Sequence, residues 1–202
     1  MNRTIDSLRL GRIEVVAPPA AEPVTAIDLS DWLRLPSGNG EEAILASLAT
    51  AARLHAENAS QRTFAAATLR LDLAEFPCGG QSLQLRRGPV RTLDAIAYVD
   101  ADGAEATLDV AEDVTIVREG LDAYVYPRSG RWPATRPTAD GGGNVRATYT
   151  AGFESVPETV LQAIKLLAAH WHENREATSP LTVKDVPLGF DHLLAPYTDW
   201  RI

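Results

Sequence analysis

The sequence predicts an α+β fold: a helical core, with helices near 28–35, 41–60, 157–176 and 189–194, interrupted by an antiparallel β insert near 67–151. Three observations carry this. Apolar residues recur at three- and four-residue spacing around 41–60 and again around 157–176. Between those stretches the period drops to two, as in Thr68-Leu69-Arg70-Leu71-Asp72-Leu73, which sets three leucines on one side of a strand. Turn residues then punctuate the middle third at close intervals, which reads as antiparallel strands.

In chain order, residues 1–24 read as an irregular arm in which Ile13–Val16 suits an edge strand and Pro18, Pro19 and Pro23 interrupt any helix or ladder. A single domain is expected over 25–196 and a short tail over 197–202. Asp28 or Ser30 caps a first short helix that Pro36 ends. The Ser37-Gly38-Asn39-Gly40 turn leads into a second helix, over Glu41–Ser60. Its apolar face is Ile44, Leu45, Leu48, Ala52 and His55, and its length is about 30 Å. Strands fit Thr68–Leu73, Ser82–Arg86, Val90–Val99, Ala104–Val110, Val114–Arg118, Ala123–Tyr126 and Asn144–Thr150. Arg131–Gly143, with Pro133, Pro137 and three consecutive glycines, reads as a loop too weakly apolar to join the core. Ser155-Val156-Pro157-Glu158 matches a capping box, and Val160, Ile164, Leu167 and Trp171 stripe the helix that follows. One more short helix near 189–194 precedes an aromatic tail.

The 202 residues are 45% hydrophobic and 23% charged, ordinary globular proportions that exclude a wholly disordered chain or a collagen-like fibre. No apolar run approaches the roughly 18 residues of a membrane span. The first residues lack the apolar centre of a signal peptide, so folding in the cytoplasm, or in something assembled there, is expected. A net charge of −8 argues against a general nucleic-acid binder, because grip on phosphates comes from clustered Lys and Arg. It is compatible with a wall that surrounds DNA without holding it.

Catalytic and metal chemistry finds little support. Cys78, the one cysteine, sits in the turn-like Phe76-Pro77-Cys78-Gly79-Gly80 with no histidine near in sequence to serve as a base. His170 and His172 lie about 200° apart on a helix and cannot share one ion, while His172 and Glu176 share a face but are only two ligands. Gly141-Gly142-Gly143 precedes a strand rather than a helix and lacks a following Lys-Ser or Lys-Thr, so it is no phosphate cradle. The acids Asp100, Asp102, Asp109, Glu112 and Asp113 fall in turns and are explained by turn chemistry. No nucleophile elbow and no H-E-x-x-H is present. No enzyme, no cofactor and no metal is expected. The basic cluster Arg86, Arg87 and Arg91 reads as a subunit interface rather than a phosphate site, because no aromatics interleave it for base stacking. Tyr197, Trp200 and Ile202 either fold back on the core or anchor the chain in another protein's groove.

The order of several segments carries a resemblance. These are Leu83-Gln84-Leu85-Arg86-Arg87-Gly88-Pro89-Val90, Tyr98-Val99-Asp100-Ala101-Asp102-Gly103, Val145-Arg146-Ala147-Thr148-Tyr149-Thr150-Ala151-Gly152, Val156-Pro157-Glu158 with Ala163-Ile164, Val186-Pro187-Leu188-Gly189-Phe190, and Leu193-Leu194-Ala195-Pro196-Tyr197. Over roughly 25–197 the chain resembles the head–tail connector (adaptor) proteins of long-tailed bacteriophages and of phage-derived gene transfer agents. The resemblance implies a structural, non-enzymatic component of the neck of a virion or phage-like particle, assembled in the bacterial host cytoplasm. It implies a homo-oligomeric ring, usually a dodecamer, beneath the portal protein. Such a ring prolongs a channel through which double-stranded DNA passes without sequence-specific binding, and it meets a downstream neck, stopper or tail protein. It puts portal docking at Leu193, Leu194, Tyr197, Trp200, Arg201 and Ile202. Where the family often has an arginine after the tyrosine, this chain has Thr198, with Arg201 further on. A tail-completion or stopper protein is the nearest alternative. A carbohydrate-binding module, needing an aromatic platform around Trp132, and a metal-dependent hydrolase using His170 and His172 are more distant ones.

Overall fold

The computed structural model describes residues 11–36, 38, 40–136, 143–174 and 188–198. The chain divides into two compact units, Met1–Pro19 with Ala66–Gly152, and Ala20–Ala65 with Phe153–Ile202. The first is all β. Its strands are β1 (Arg12–Ala17), β2 (Ala67–Leu73), β3 (Leu83–Leu85), β4 (Val90–Val99), β5 (Glu105–Leu108), β6 (Val114–Glu119), β7 (Asp122–Pro127) and β8 (Val145–Ala151). They form two antiparallel sheets, ordered β1-β2-β8-β4-β5 and β3-β7-β6.

The period-two pattern explains the register. Leu69, Leu71 and Leu73 of β2 stand opposite Tyr149, Ala147 and Val145 of β8, all buried, while Thr68, Arg70 and Asp72 stand opposite Thr150, Thr148 and Arg146 on the other face. One core takes side chains from both sheets, with Leu83, Leu85 and Val125 joining the leucines of β2. The loop after β7 also contributes to it, against expectation. Trp132 is buried, stacked on Phe76 at 4.7 Å between ring centroids and 4° between planes, with its indole N–H donated to the Gln81 carbonyl at 2.8 Å. A proline- and glycine-rich loop can thus deliver one aromatic inward if its polar edge finds a partner.

The turn between β3 and β4 is held by backbone crowding. A Cβ at Gly88 would lie 1.9 Å from the Leu121 carbonyl oxygen. Gly88→Ala is therefore expected to lower stability by about 1–3 kcal/mol or more, the cost of overpacking against an immobile atom. Thermal unfolding checks it, and an unchanged melting temperature would mean that the turn moves aside freely.

The second unit is helical, with α1 (Ala26–Leu33), α2 (Glu42–Ser60), α3 (Glu158–Glu173), α4 (Leu188–Leu194) and a 3-10 turn over Ala195–Tyr197. Leu45, Ala49, Ala52 and Ala56 of α2 share a core with Val160, Ala163, Ile164 and Leu167 of α3, and small alanines let helices approach closely. The buried face of α2 is rotated from the one predicted: Ile44 and His55 are exposed, whereas Arg53, Glu57 and Ser60 are buried. Those polar residues are absorbed by an ion network. Arg53 Nε donates to Glu22 at 2.6 Å and Nη1 to Glu57 at 2.7 Å. Glu57 Oε1 in turn accepts the Phe64 and Ala65 N–H groups at 2.8 and 3.3 Å. Burial works against the Arg53 charge, but the bonds and charges of Glu22 and Glu57 outweigh it and hold the guanidinium above its ordinary value.

Two caps differ from expectation. α1 is capped by Thr25, not Asp28 or Ser30: the Thr25 hydroxyl accepts the Asp28 N–H at 3.1 Å and the Asp28 carboxylate accepts the Thr25 N–H at 2.8 Å. That is a capping box, with its N-cap three residues before the nearer of the two predicted caps. α1 ends at Leu33, with Arg34 in the left-handed region, so the chain turns before Pro36. α3 starts at an N-cap of Pro157 with no side-chain cap bond, so Ser155 forms no capping box. Hydrogen bonds from the Thr25 hydroxyl and backbone N–H hold the Asp28 carboxyl below its usual value. A depressed carboxylate stabilises above its unfolded pKa, and that stability is lost as pH falls through the folded one. Asp28→Asn is therefore expected to cost about 1 kcal/mol at pH 7 and almost nothing well below the folded pKa. Denaturant titrations at the two pH values test this, and a cost independent of pH would exclude the charge as its source.

Candidate docking and interface residues

The residues expected to dock lie at the end of the helical unit. α4 places Phe190 and Leu194 in its core, fully buried, with Leu193 partly buried beside them. The following 3-10 turn carries Tyr197 back onto the same core. Its ring stands edge-on to Phe64 and to Phe153, at 6.1 and 5.8 Å between centroids, and Phe64 and Phe153 stack on each other. The Tyr197 hydroxyl shares a hydrogen bond with Thr159 at 3.2 Å, and its carbonyl accepts from Arg62 Nε at 3.2 Å. Thr198, where the family often has arginine, donates its hydroxyl to the Leu194 carbonyl at 3.1 Å. Leu194, Tyr197 and Thr198 are thus tied into their own unit, which fixes the point from which the chain continues. Trp200, Arg201 and Ile202 lie outside the described residues.

The arginine cluster lies at the entry to β4. Arg87 takes a φ of 60°, and the Arg86 carbonyl accepts the hydroxyl of the buried Tyr149 at 2.6 Å. Burial raises the pKa of that hydroxyl, and the charges of Arg86 and Arg87 pull it the other way, so both guanidinium groups act at this spot. Arg91 is exposed on β4, and its carbonyl accepts Arg118 Nη2 at 2.8 Å. The fold therefore adds Arg118 beside the start of β4, where the sequence showed only Arg86, Arg87 and Arg91. Arg118 was missed because it arrives on β6, 27 positions from Arg91; no local signal marks it.

The histidines go separate ways, as helical geometry requires. His172 Nε2 lies 3.0 Å from a Glu41 carboxylate oxygen, and His170 Nδ1 lies 3.3 Å from the Asn174 side-chain nitrogen. Glu176 lies outside the described residues, as do Gly141 and Gly142. Among the described residues no group of three or more His, Cys, Asp or Glu is placed to hold a metal ion, and no helix is long and apolar enough to cross a membrane. Cys78 is exposed. The turn acids serve their turns: Asp100 accepts the Asp102 and Ala104 N–H groups, each at 2.9 Å, and Asp109 accepts that of Ala111 at 2.8 Å. Trp132, spent on the core, offers no platform for a sugar.

No protein-family model and no curated protein matches the sequence. Solved structures do. A chain in the neck of an empty gene transfer agent (GTA) particle, computed with C6 symmetry, aligns with a TM-score of 0.76 and 26% identity over 95% of this chain and 97% of that one. A chain in the virion of a native GTA particle aligns with a TM-score of 0.75 and 25% identity over 94% and 96%. A third, in the neck of a native GTA particle computed with C12 symmetry, shares the fold at a TM-score of 0.75 and 23% identity over 95% and 97%. The mixed α+β architecture and the resemblance read from the order of the segments are therefore both borne out: across nearly its whole length the chain has the fold of the proteins that build the neck of gene transfer agent particles.

Proposed function

We propose that the protein is a structural head–tail connector (adaptor) in the neck of a phage-like particle. One observation carries the reading: the likeness to the chain from the empty particle's neck spans 95% of this chain and 97% of that one, so it rests on the whole fold and not on one shared segment. The role is non-enzymatic. It needs no catalytic constellation, only surfaces that join copies and partners.

The finer assignment follows from the same chemistry. Copies assemble as a closed ring of twelve, the number the resemblance implies, and the ring seats on a portal protein. Leu193, Leu194 and Tyr197 fix the root of the docking tail, and Trp200, Arg201 and Ile202 make the contact. Arg86, Arg87 and Arg91 lie at the boundary between copies. Double-stranded DNA passes through: the net charge is −8, and Arg70 and Arg146 are each paired to carboxylates on their own sheet face, so that face does not offer them to phosphates.

Negative-stain imaging of the protein mixed with the portal protein of the same particle tests the reading. A ring seated on the portal is the expected result. Two proteins that remain separate under assembly conditions would move this chain lower in the neck, to a stopper or tail-completion position.

A further inference from the structure

A closed ring of identical copies needs two unlike, complementary surfaces on each copy, because each meets one neighbour with one and the other neighbour with the other. The β unit offers such a pair. Its two sheets have four free edges among the described residues: β1 and β5 on the larger, β3 and β6 on the smaller. β3 and β5 have only three and four residues, and short edges are a common way to avoid unwanted pairing. β1 and β6 have six residues each and are exposed over most of their length, with Val15, Val16 and Val117 on the surface. β1 closes one edge of the larger sheet, and β6 follows directly on β5 at the other edge, so the two can serve different neighbours.

Resting on the connector reading, we infer that β1 of one copy pairs antiparallel with β6 of the next, Arg12 opposite Glu119 and Val15 opposite Ile116. Three facts select that register. The exposed face of β1, Arg12 and Glu14, then continues into the exposed face of β6, Glu119 and Val117. Ile13 and Ile116, both partly buried against the core of their own unit, fall on the inward side together; a slip of one residue would turn one of them outward. Arg12 and Glu119 carry opposite charges, and neither has an ion-pair partner among the described residues. The pairing stops after Val15, where the register of β1 on β2 shifts at Val16. Arg91 lies beside β6, since Arg118 of β6 donates to its carbonyl, so this one of the proposed interface arginines adjoins the seam.

Disulfide trapping in the full chain tests the pairing. In a Cys78→Ser background, Glu14→Cys combined with Val117→Cys puts two thiols on directly opposite residues, whose Cβ atoms come within about 4.5–5.5 Å, near disulfide range. Oxidation under assembly conditions is expected to give a ladder of dimers and higher multiples from the double variant and none from either single one. Adding Arg12→Glu should remove the ladder, and adding Glu119→Arg to that variant should restore it. Rings seen by negative stain without a ladder would overturn the strand pairing and leave the connector reading standing. A protein that forms neither rings nor a ladder would overturn both.

Discussion

Replacing Glu57 by alanine is expected to cost the helical unit about 3–5 kcal/mol, which lowers its melting temperature by about 10 °C or more. The size follows from what the carboxylate does. It neutralises Arg53, which is 6% exposed at its side chain, and it accepts the N–H groups of Phe64 and Ala65 where the chain leaves α2. Without it, Arg53 keeps only Glu22, and two buried donors lose their acceptor. Glu57→Gln separates the contributions, because the amide oxygen still accepts from Phe64 while the charge is gone. It should cost roughly half as much. Circular dichroism through the thermal transition reads both variants. A loss below about 1 kcal/mol for Glu57→Ala would show that water takes over the carboxylate's bonds and that the network is surface-like.

That network also shows where sequence reading stopped. The alternation of β2 was legible because leucine and polar residues sort cleanly by face, and β8 followed by the same logic. On α2 the apolar pattern pointed to a face including Ile44 and His55, while the face that is buried carries Arg53 and Glu57. Periodicity scores a charge as solvent-seeking, whereas a charge that finds Glu22 from a distant turn is buried at small net cost. The caps failed for a related reason. Thr25, Asp28 and Ser30 are all good cap residues, and only the reciprocal bond between Thr25 and Asp28 settles which one starts the helix. Trp132 and Arg118 are joined to their surroundings by partners tens of positions away, Gln81 for one and Arg91 for the other. The order of motifs, by contrast, was a whole-chain signal, which is why it located the right kind of assembly before any single site could.

The docking tail gives the other large expected effect, and the geometry of its root decides how to measure it. Cutting before Tyr197 would remove a ring that packs on Phe64 and Phe153, and so would confuse lost binding with lost folding. Stopping the chain after Thr198 spares those contacts and the Thr198–Leu194 hydrogen bond. The shortened protein should melt within about 0.5 kcal/mol of the full chain, as expected when no described packing is touched. Its affinity for the portal protein should fall at least about a hundredfold, because buried aromatic and arginine anchors each contribute about 2 kcal/mol or more. Trp200→Ala alone should weaken binding about thirtyfold on the same scale. Tyr197→Ala should behave in the opposite way, costing about 2 kcal/mol of stability through its half-buried ring before any effect on docking is seen. Unchanged affinity in the protein that stops at Thr198 would remove the tail from the interface. The exposed faces of the helical unit would then have to carry the portal contact, and Leu193, Leu194 and Tyr197 would be core residues only.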